Sequence, residues 1–285
     1  MTGGDAAASA GASAGIVVDV GDGLRLHVTV SGDGPPLMLL HGFTGSGQSW
    51  SAMRASFATR YRVLAVDLPG HGRSTSPPDP SRYALARFAD DLVVLLDALC
   101  VRDVTVLGYS LGARAALAFA ARHPARVVAL VLVSASIGIE DEAARVARAA
   151  ADEALADDIE RHGIAAFVDR WEALPLWDSQ RSLAAEARGA LRAQRVAGDP
   201  RGLANSLRGA GQGASPPLRG ALDAIVAPVL VVAGELDARY VALGRSLADD
   251  LPHARLVTIP GSGHAVQLER PGELLRHVLD FLDAR

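Results

Sequence analysis

VTVLGYSLGARAALAFAAR, residues 104–122, decides how this chain folds. Its first four residues, apolar but for Thr105, have the continuous character of a strand buried on both faces of a parallel sheet. From Leu111 the sequence turns Ala-rich and helix-forming until His123-Pro124, where a helix has to stop. Between strand and helix stands Gly108-Tyr109-Ser110-Leu111-Gly112. Glycines on either side of a serine allow a turn sharp enough to lift its hydroxyl above the sheet edge as a nucleophile elbow. Outside this context the same five residues would read as a helix cap.

A serine hydroxyl alone is a poor nucleophile and a poor base. An elbow therefore asks for a carboxylate and an imidazole later in the chain, in the order Ser, acid, His. Asp237 ends VLVVAGELD and His264 ends LVTIPGSGH, each where a strand gives way to a loop. Carboxyl ends of parallel strands are where open α/β sheets bind ligands. Glu235 is the rival carboxylate, less deep in the loop. His41 and His71, in glycine-flanked turns, and His253, on a surface-like stretch, are the rival bases; His264 is preferred. The third apolar run ends in His41-Gly42-Phe43, and the backbone N–H of Phe43 is expected to pair with that of Leu111 as an oxyanion hole. A tight turn is the alternative reading there. Residues 67–74, DLPGHGRS, read as a scaffold turn.

Outward from the elbow, buried-strand runs fall at 37–40, 63–66, 127–133 and 229–232, with a weaker one at 256–259. Residues 17–20 and 24–30 alternate around a glycine-bearing turn and predict a hairpin. Helical spacing covers 83–99, with Asp90, Asp91 and Asp97 off its apolar face, and 273–282, which Pro271 introduces. Strands alternating with helices predict an α/β fold, a mostly parallel sheet flanked by helices. Residues 138–222 lose the strand signals and turn polar, Ala- and Arg-rich. We read them as a helical lid inserted after the sixth strand, with the core at 16–137 and 223–285. Residues 1–15 are small and flexible, with neither a basic start nor an apolar run, and read as a disordered tail rather than a signal peptide or anchor.

Composition narrows the function. The chain has 285 residues, 49% hydrophobic and 21% charged, as a soluble globular protein does. A formal charge of -4 without a basic stripe argues against nucleic acid and anionic membranes as partners. All positive charge is arginine. Without a lysine there is neither a Walker-type phosphate loop nor Schiff-base chemistry. Cys100 is the only cysteine, so no internal disulfide forms and a reducing cytoplasm suits the chain. Its apolar helical surroundings predict a buried, inert thiol. The eight histidines lack ligand spacing, so neither metal nor cofactor is expected. No apolar run approaches the roughly 20 residues of a membrane span. Oligomeric state is not legible.

Taken together, these residues resemble the α/β-hydrolase superfamily over nearly the whole chain after the tail. Within it they are similar to the 2-succinyl-6-hydroxy-2,4-cyclohexadiene-1-carboxylate (SHCHC) synthases of menaquinone biosynthesis. GYSLGAR at 108–114 places an arginine four residues past the serine. FVDRWEALPLW at 167–177 and GLANSLRGAGQG at 202–213 resemble that family's lid segments. The family's Ser-Leu-Trp run after the glycine segment is here Pro217-Leu218-Arg219, a departure that bears on the seam between lid and core.

The resemblance implies a lyase. Ser110, activated by His264 and Asp237, would take a ring proton from 2-succinyl-5-enolpyruvyl-6-hydroxy-3-cyclohexene-1-carboxylate, and pyruvate would leave. That substrate carries three carboxylates, which planar guanidinium groups match. By similarity Arg114, Arg145 and Arg195 would bind them, with Arg148 and Arg192 as register alternatives. Trp171 would form an apolar wall and Tyr109 a neighbour of the elbow. Two other readings stay open: a serine-dependent ester or carbon–carbon-bond hydrolase, and a receptor that keeps the fold with little turnover.

Overall fold

The computed structural model describes residues 13–284. One eight-stranded sheet runs through it in the order β1-β2-β4-β3-β5-β6-β7-β8. These strands are β1 (Ala14–Asp19), β2 (Arg25–Ser31), β3 (Pro36–Leu40), β4 (Arg62–Val66), β5 (Val104–Tyr109), β6 (Val127–Val133), β7 (Val229–Gly234) and β8 (Ala254–Ile259). The β1–β2 hairpin and the β2–β4 pair are antiparallel, and every later pair is parallel. The predominantly apolar runs become the central strands: β5 and β7 are buried at every residue. The edge strands β1 and β8 are far more open, with Ile259 the one buried residue in the two.

Helices cover both faces. On one, α2 (Leu85–Ala98), α3 (Leu111–Arg122) and α7 (Ala238–Asp250) pack over Met38, Val106, Leu130 and Val231. On the other, α1 (Ser51–Ala58) and α9 (Pro271–Asp283) close over Leu39, Leu107, Val131 and Val232. Residues alternating along β5 thus serve opposite layers, as a period of two requires.

Between β6 and β7 the chain is helices and turns: α4 (Glu142–Glu172), α5 (Ala185–Val196) and α6 (Pro200–Ala210). Asp141 caps α4, its carboxylate accepting from the Ala144 N–H at 2.7 Å. Gly163 breaks α4 with φ 78° and ψ 168°, so the long helix is two segments at an angle. This insertion has its own small core, where Ile159, Phe167 and Val168 meet Leu203 and Leu207.

Four expectations change. Ala14 and Gly15, assigned to the tail, are the first residues of β1, because they pair with Val30 and Thr29; residues 1–12 lie outside the described residues. Cys100 is exposed rather than buried. It follows the end of α2 with φ 55°, which turns its side chain out of the helix's apolar stripe. Asp91 sits inside rather than on the polar face of α2, where both its oxygens meet Arg82 at 2.6 and 2.7 Å. Finally, α1 and α7 stand where no helix was assigned.

Candidate active site

Ser110 links β5 to α3 in a backbone conformation that residues with a Cβ rarely adopt, φ 52° and ψ −107°. The turn holds because Gly112 lets the first turn of α3 come down onto β3. A Cβ at Gly112 would lie 2.2 Å from the Leu40 carbonyl oxygen. The elbow geometry therefore follows from the glycines at local positions 1 and 5 of the motif.

Asp237 and His264 reach Ser110 from later strand ends. Asp237 caps α7, its Oδ1 accepting from the Tyr240 N–H at 3.2 Å, which leaves Oδ2 for His264 Nδ1 at 2.8 Å. A carboxylate only accepts, so Nδ1 carries the hydrogen and Nε2 is the free base. Nε2 lies 3.1 Å from Ser110 Oγ. The three groups form a continuous hydrogen-bonded relay. The imidazole is almost fully covered, with the rings of Tyr240, Tyr109 and Trp177 at 4.4, 5.4 and 5.6 Å.

The rival residues do other work. Glu235 is exposed and accepts from the Gly261 N–H at 3.0 Å. His41 accepts the Leu68 N–H on Nε2 at 3.0 Å and donates from Nδ1 to the Gly42 carbonyl at 2.8 Å. Burial lowers its pKa to about 4. Burial, then the neighbouring His41, lowers that of His71 to about 3. His253 is exposed. Asp67 takes N–H groups from Gly47 and Arg73 and pairs with His27, which ties the 67–74 turn together.

Ser110, His264 and Asp237 open into a cavity of about 280 Å³. Phe43, Leu111, Tyr109, Arg114 and Trp171 line it, bringing five more of the sequence-predicted residues to one place. No hydrogen bond among the described residues takes up the N–H of Phe43 or of Leu111. The side chains of Phe43, Trp171 and Trp177 stack edge to tilted at 5.5 and 5.6 Å, forming the seam between core and insertion.

Arg114 is the electrostatic feature of this cavity. It is buried, takes part in no ion pair among the described residues, and leaves Nη1 without a hydrogen-bond partner. Burial lowers its pKa to about 10, so it stays charged at neutral pH. A buried, unpaired cation is unfavourable unless an anion joins it.

Two predicted arginines lie elsewhere. Arg145 is in the first turn of α4, short of the cavity, and Arg148, one turn deeper, lines it instead. Arg195 is buried but packs on the Trp177 ring at 5.1 Å and pairs with Glu172 at 3.0 Å. It lines a smaller neighbouring pocket with Gly42 and Gln267. Arg192 pairs with Asp169 and Glu172 on the outer side. Sequence reasoning also missed Arg239, Tyr240, Ser136 and Gln212 on the cavity wall. Arg239 and Tyr240 gave a signal by following Asp237 so closely, and Gln212 by standing in the 202–213 segment.

Sheet, elbow and relay together define the class: the chain belongs to the α/β-hydrolase fold family, whose model matches residues 35–271. A Bacillus subtilis (strain 168) protein provisionally named 2-succinyl-6-hydroxy-2,4-cyclohexadiene-1-carboxylate synthase is 38% identical over 267 residues, 93% of this chain and 97% of that protein. The Enterobacter sp. (strain 638) protein of that name is 30% identical over 254 residues, 88% of this chain and 93% of its own. The solved structure of MenH from S. aureus superposes with a TM-score of 0.86 at 31% identity, covering 92% of this chain and 98% of that one.

Proposed function

We propose that this chain is a lyase of menaquinone biosynthesis, eliminating pyruvate from 2-succinyl-5-enolpyruvyl-6-hydroxy-3-cyclohexene-1-carboxylate to give SHCHC. The names of the Bacillus and Enterobacter relatives support that reaction. The observation in the site that carries it is Arg114, a buried guanidinium facing the serine's cavity without an anion of its own.

The chemistry follows from the substrate. Its ring carbon 2 bears a hydrogen beside the succinyl ketone, carbons 3 and 4 share the double bond, and carbon 5 bears the enolpyruvyl oxygen. His264 takes the Ser110 proton, and Ser110 Oγ takes the hydrogen from carbon 2. The electron pair moves toward the ketone oxygen, where the Phe43 and Leu111 N–H groups stabilise the developing charge. It then returns to form the 2,3 double bond as the 3,4 bond shifts to 4,5 and the carbon–oxygen bond at carbon 5 breaks. Enolpyruvate leaves and takes a proton at its methylene carbon, becoming pyruvate. No water enters and no acyl-enzyme forms.

In this reading Arg114 and Arg148 hold carboxylates of a tricarboxylate substrate, while Tyr109 and Trp171 wall the ring. Residues 138–222 act as the lid that covers it. Among the described residues no helix is long and apolar enough to cross a membrane, and we assign the reaction to the cytoplasm. The test is pyruvate release from the enolpyruvyl substrate, followed with a coupled dehydrogenase. The wild-type chain should turn over, and Ser110→Ala should be slower by about 100- to 10,000-fold. Rapid hydrolysis of simple aryl esters with no pyruvate formed would make the chain a hydrolase instead.

A further inference from the structure

The loop that carries His264 is held from behind by a carboxylate that the proton relay does not use. Glu269 ends α8 (Val266–Glu269), a single helical turn just after the histidine. Its side chain folds back toward the loop. Oε2 accepts the Gly263 N–H at 2.6 Å, and Oε1 accepts the Ala265 N–H at 3.2 Å. The two N–H groups belong to the residues immediately before and after His264. Ser134, at the end of β6, donates its hydroxyl to the His264 carbonyl at 2.7 Å. Three hydrogen bonds from two side chains thus surround one residue's backbone.

Glu269 itself is nearly buried and takes part in no ion pair among the described residues. A carboxylate removed from water in this way is retained only if donors satisfy both oxygens, and here the flanking amides do so. An ordinary cap would need one such bond. Two that straddle the base fix the loop in both directions along the chain.

We infer that Glu269 is a positioning residue for His264. It holds the backbone so that Nδ1 meets Asp237 while Nε2 meets Ser110 Oγ. The imidazole has to serve two partners at once, and a small rotation or shift of its backbone loses one of them. Misplacement by about 1 Å in such an arrangement slows turnover by on the order of 100-fold. Glu269 touches neither the cavity nor the reacting atoms, so substrate affinity should be left alone. This assignment rests on His264 acting as the base.

Glu269→Gln supplies the test. An amide has one accepting oxygen, so one of the two N–H groups must lose its partner and face an NH₂ donor. Pyruvate release should show kcat lowered by roughly 10- to 100-fold with KM within about twofold of wild type. Independently of any substrate, the low-field proton resonance of His264 Nδ1–H, hydrogen-bonded to Asp237, should shift or broaden away in the variant. Glu269→Asp, one methylene shorter and able to reach only one amide, should fall between the two and serves if the glutamine variant does not fold. A folded variant with wild-type kcat and an unchanged resonance overturns the inference, as does a loss confined to KM. Should the wild type release no pyruvate while the resonance still responds to the substitution, the lyase reading fails and the clamp stands.

Discussion

Arg148 Nε lies 2.8 Å from Oδ1 of Asp152, one helical turn further along α4. The carboxylate is buried and engages the arginine through Nε, and Arg148 lines the cavity. Asp152 also lies close to the Gly211–Gly213 stretch, accepting weakly from the Gly213 N–H at 3.5 Å. It therefore orients the cation and ties α4 to the end of α6.

Asp152→Asn should loosen that orientation while keeping the size of the side chain. We expect KM for the enolpyruvyl substrate to rise by about tenfold, equivalent to roughly 1.4 kcal/mol, with a smaller change in kcat. Steady-state kinetics decide it; an unchanged KM would mean that Arg148 binds no carboxylate.

Arg114 gives the opposite signs for stability and activity. Its pKa, lowered to about 10 by burial, indicates a charged form held at a penalty on the order of 3 kcal/mol. Arg114→Met removes that penalty, so the urea midpoint should rise while pyruvate release falls. Citrate, a small tricarboxylate, should raise the melting temperature of the wild type and not that of the variant. A variant with wild-type kinetics would take Arg114 out of the substrate site.

Acid should unfold the chain early. His41 and His71 are neutral when folded, with pKa values lowered to about 4 and about 3, whereas in the unfolded chain they protonate near 6.5. Below pH 6.5 the unfolded state holds more protons, so the stability they contribute is complete above that value and lost as pH falls toward 4. Each contributes a slope of up to about 1.4 kcal/mol per pH unit in that window. Urea titrations at pH 7.5, 6 and 5 should show it. In His71→Asn the slope should drop by about one proton's worth, and an unaltered slope would remove His71 from this account.

Gly112→Ala tests the elbow. Its new methyl would sit 2.2 Å from the Leu40 oxygen and 2.5 Å from that of His41, both of them backbone atoms that cannot rotate away. Overpacking of this kind destabilises by about 1–3 kcal/mol or more. Activity should fall further than stability, because the displacement carries Ser110 with it. Full activity in a folded variant would show that the turn tolerates a Cβ.

The core was legible because its signals are local. The run at 104–107 reads as a buried strand, and its place between that strand and a helix favours a sharp turn over a helix cap for the glycines around Ser110. The order of Ser110, Asp237 and His264 then followed from strand ends, and the structure brings the three together. The insertion was legible as helical but not in register. Arg145 and Arg148 differ by three residues on one helix, and nothing short of its starting point says which one faces inward. The surroundings of Arg195 were not legible for another reason: Trp177 and Glu172 hold it beside the cavity, and neither contact is encoded nearby in sequence. Cys100 and Asp91 were misjudged where a side chain's direction depended on a turn or on a distant partner, Arg82.

The contact between Gly112 and β3 has one more consequence. Phe43 lies only a few residues beyond Leu40, so the hydroxyl on the elbow and the amide proposed to meet the oxyanion belong to a single rigid block. Evolution cannot easily adjust one relative to the other. If Ser110 moves the proton as proposed, a different substrate is accommodated by redrawing the helices between β6 and β7 rather than this block.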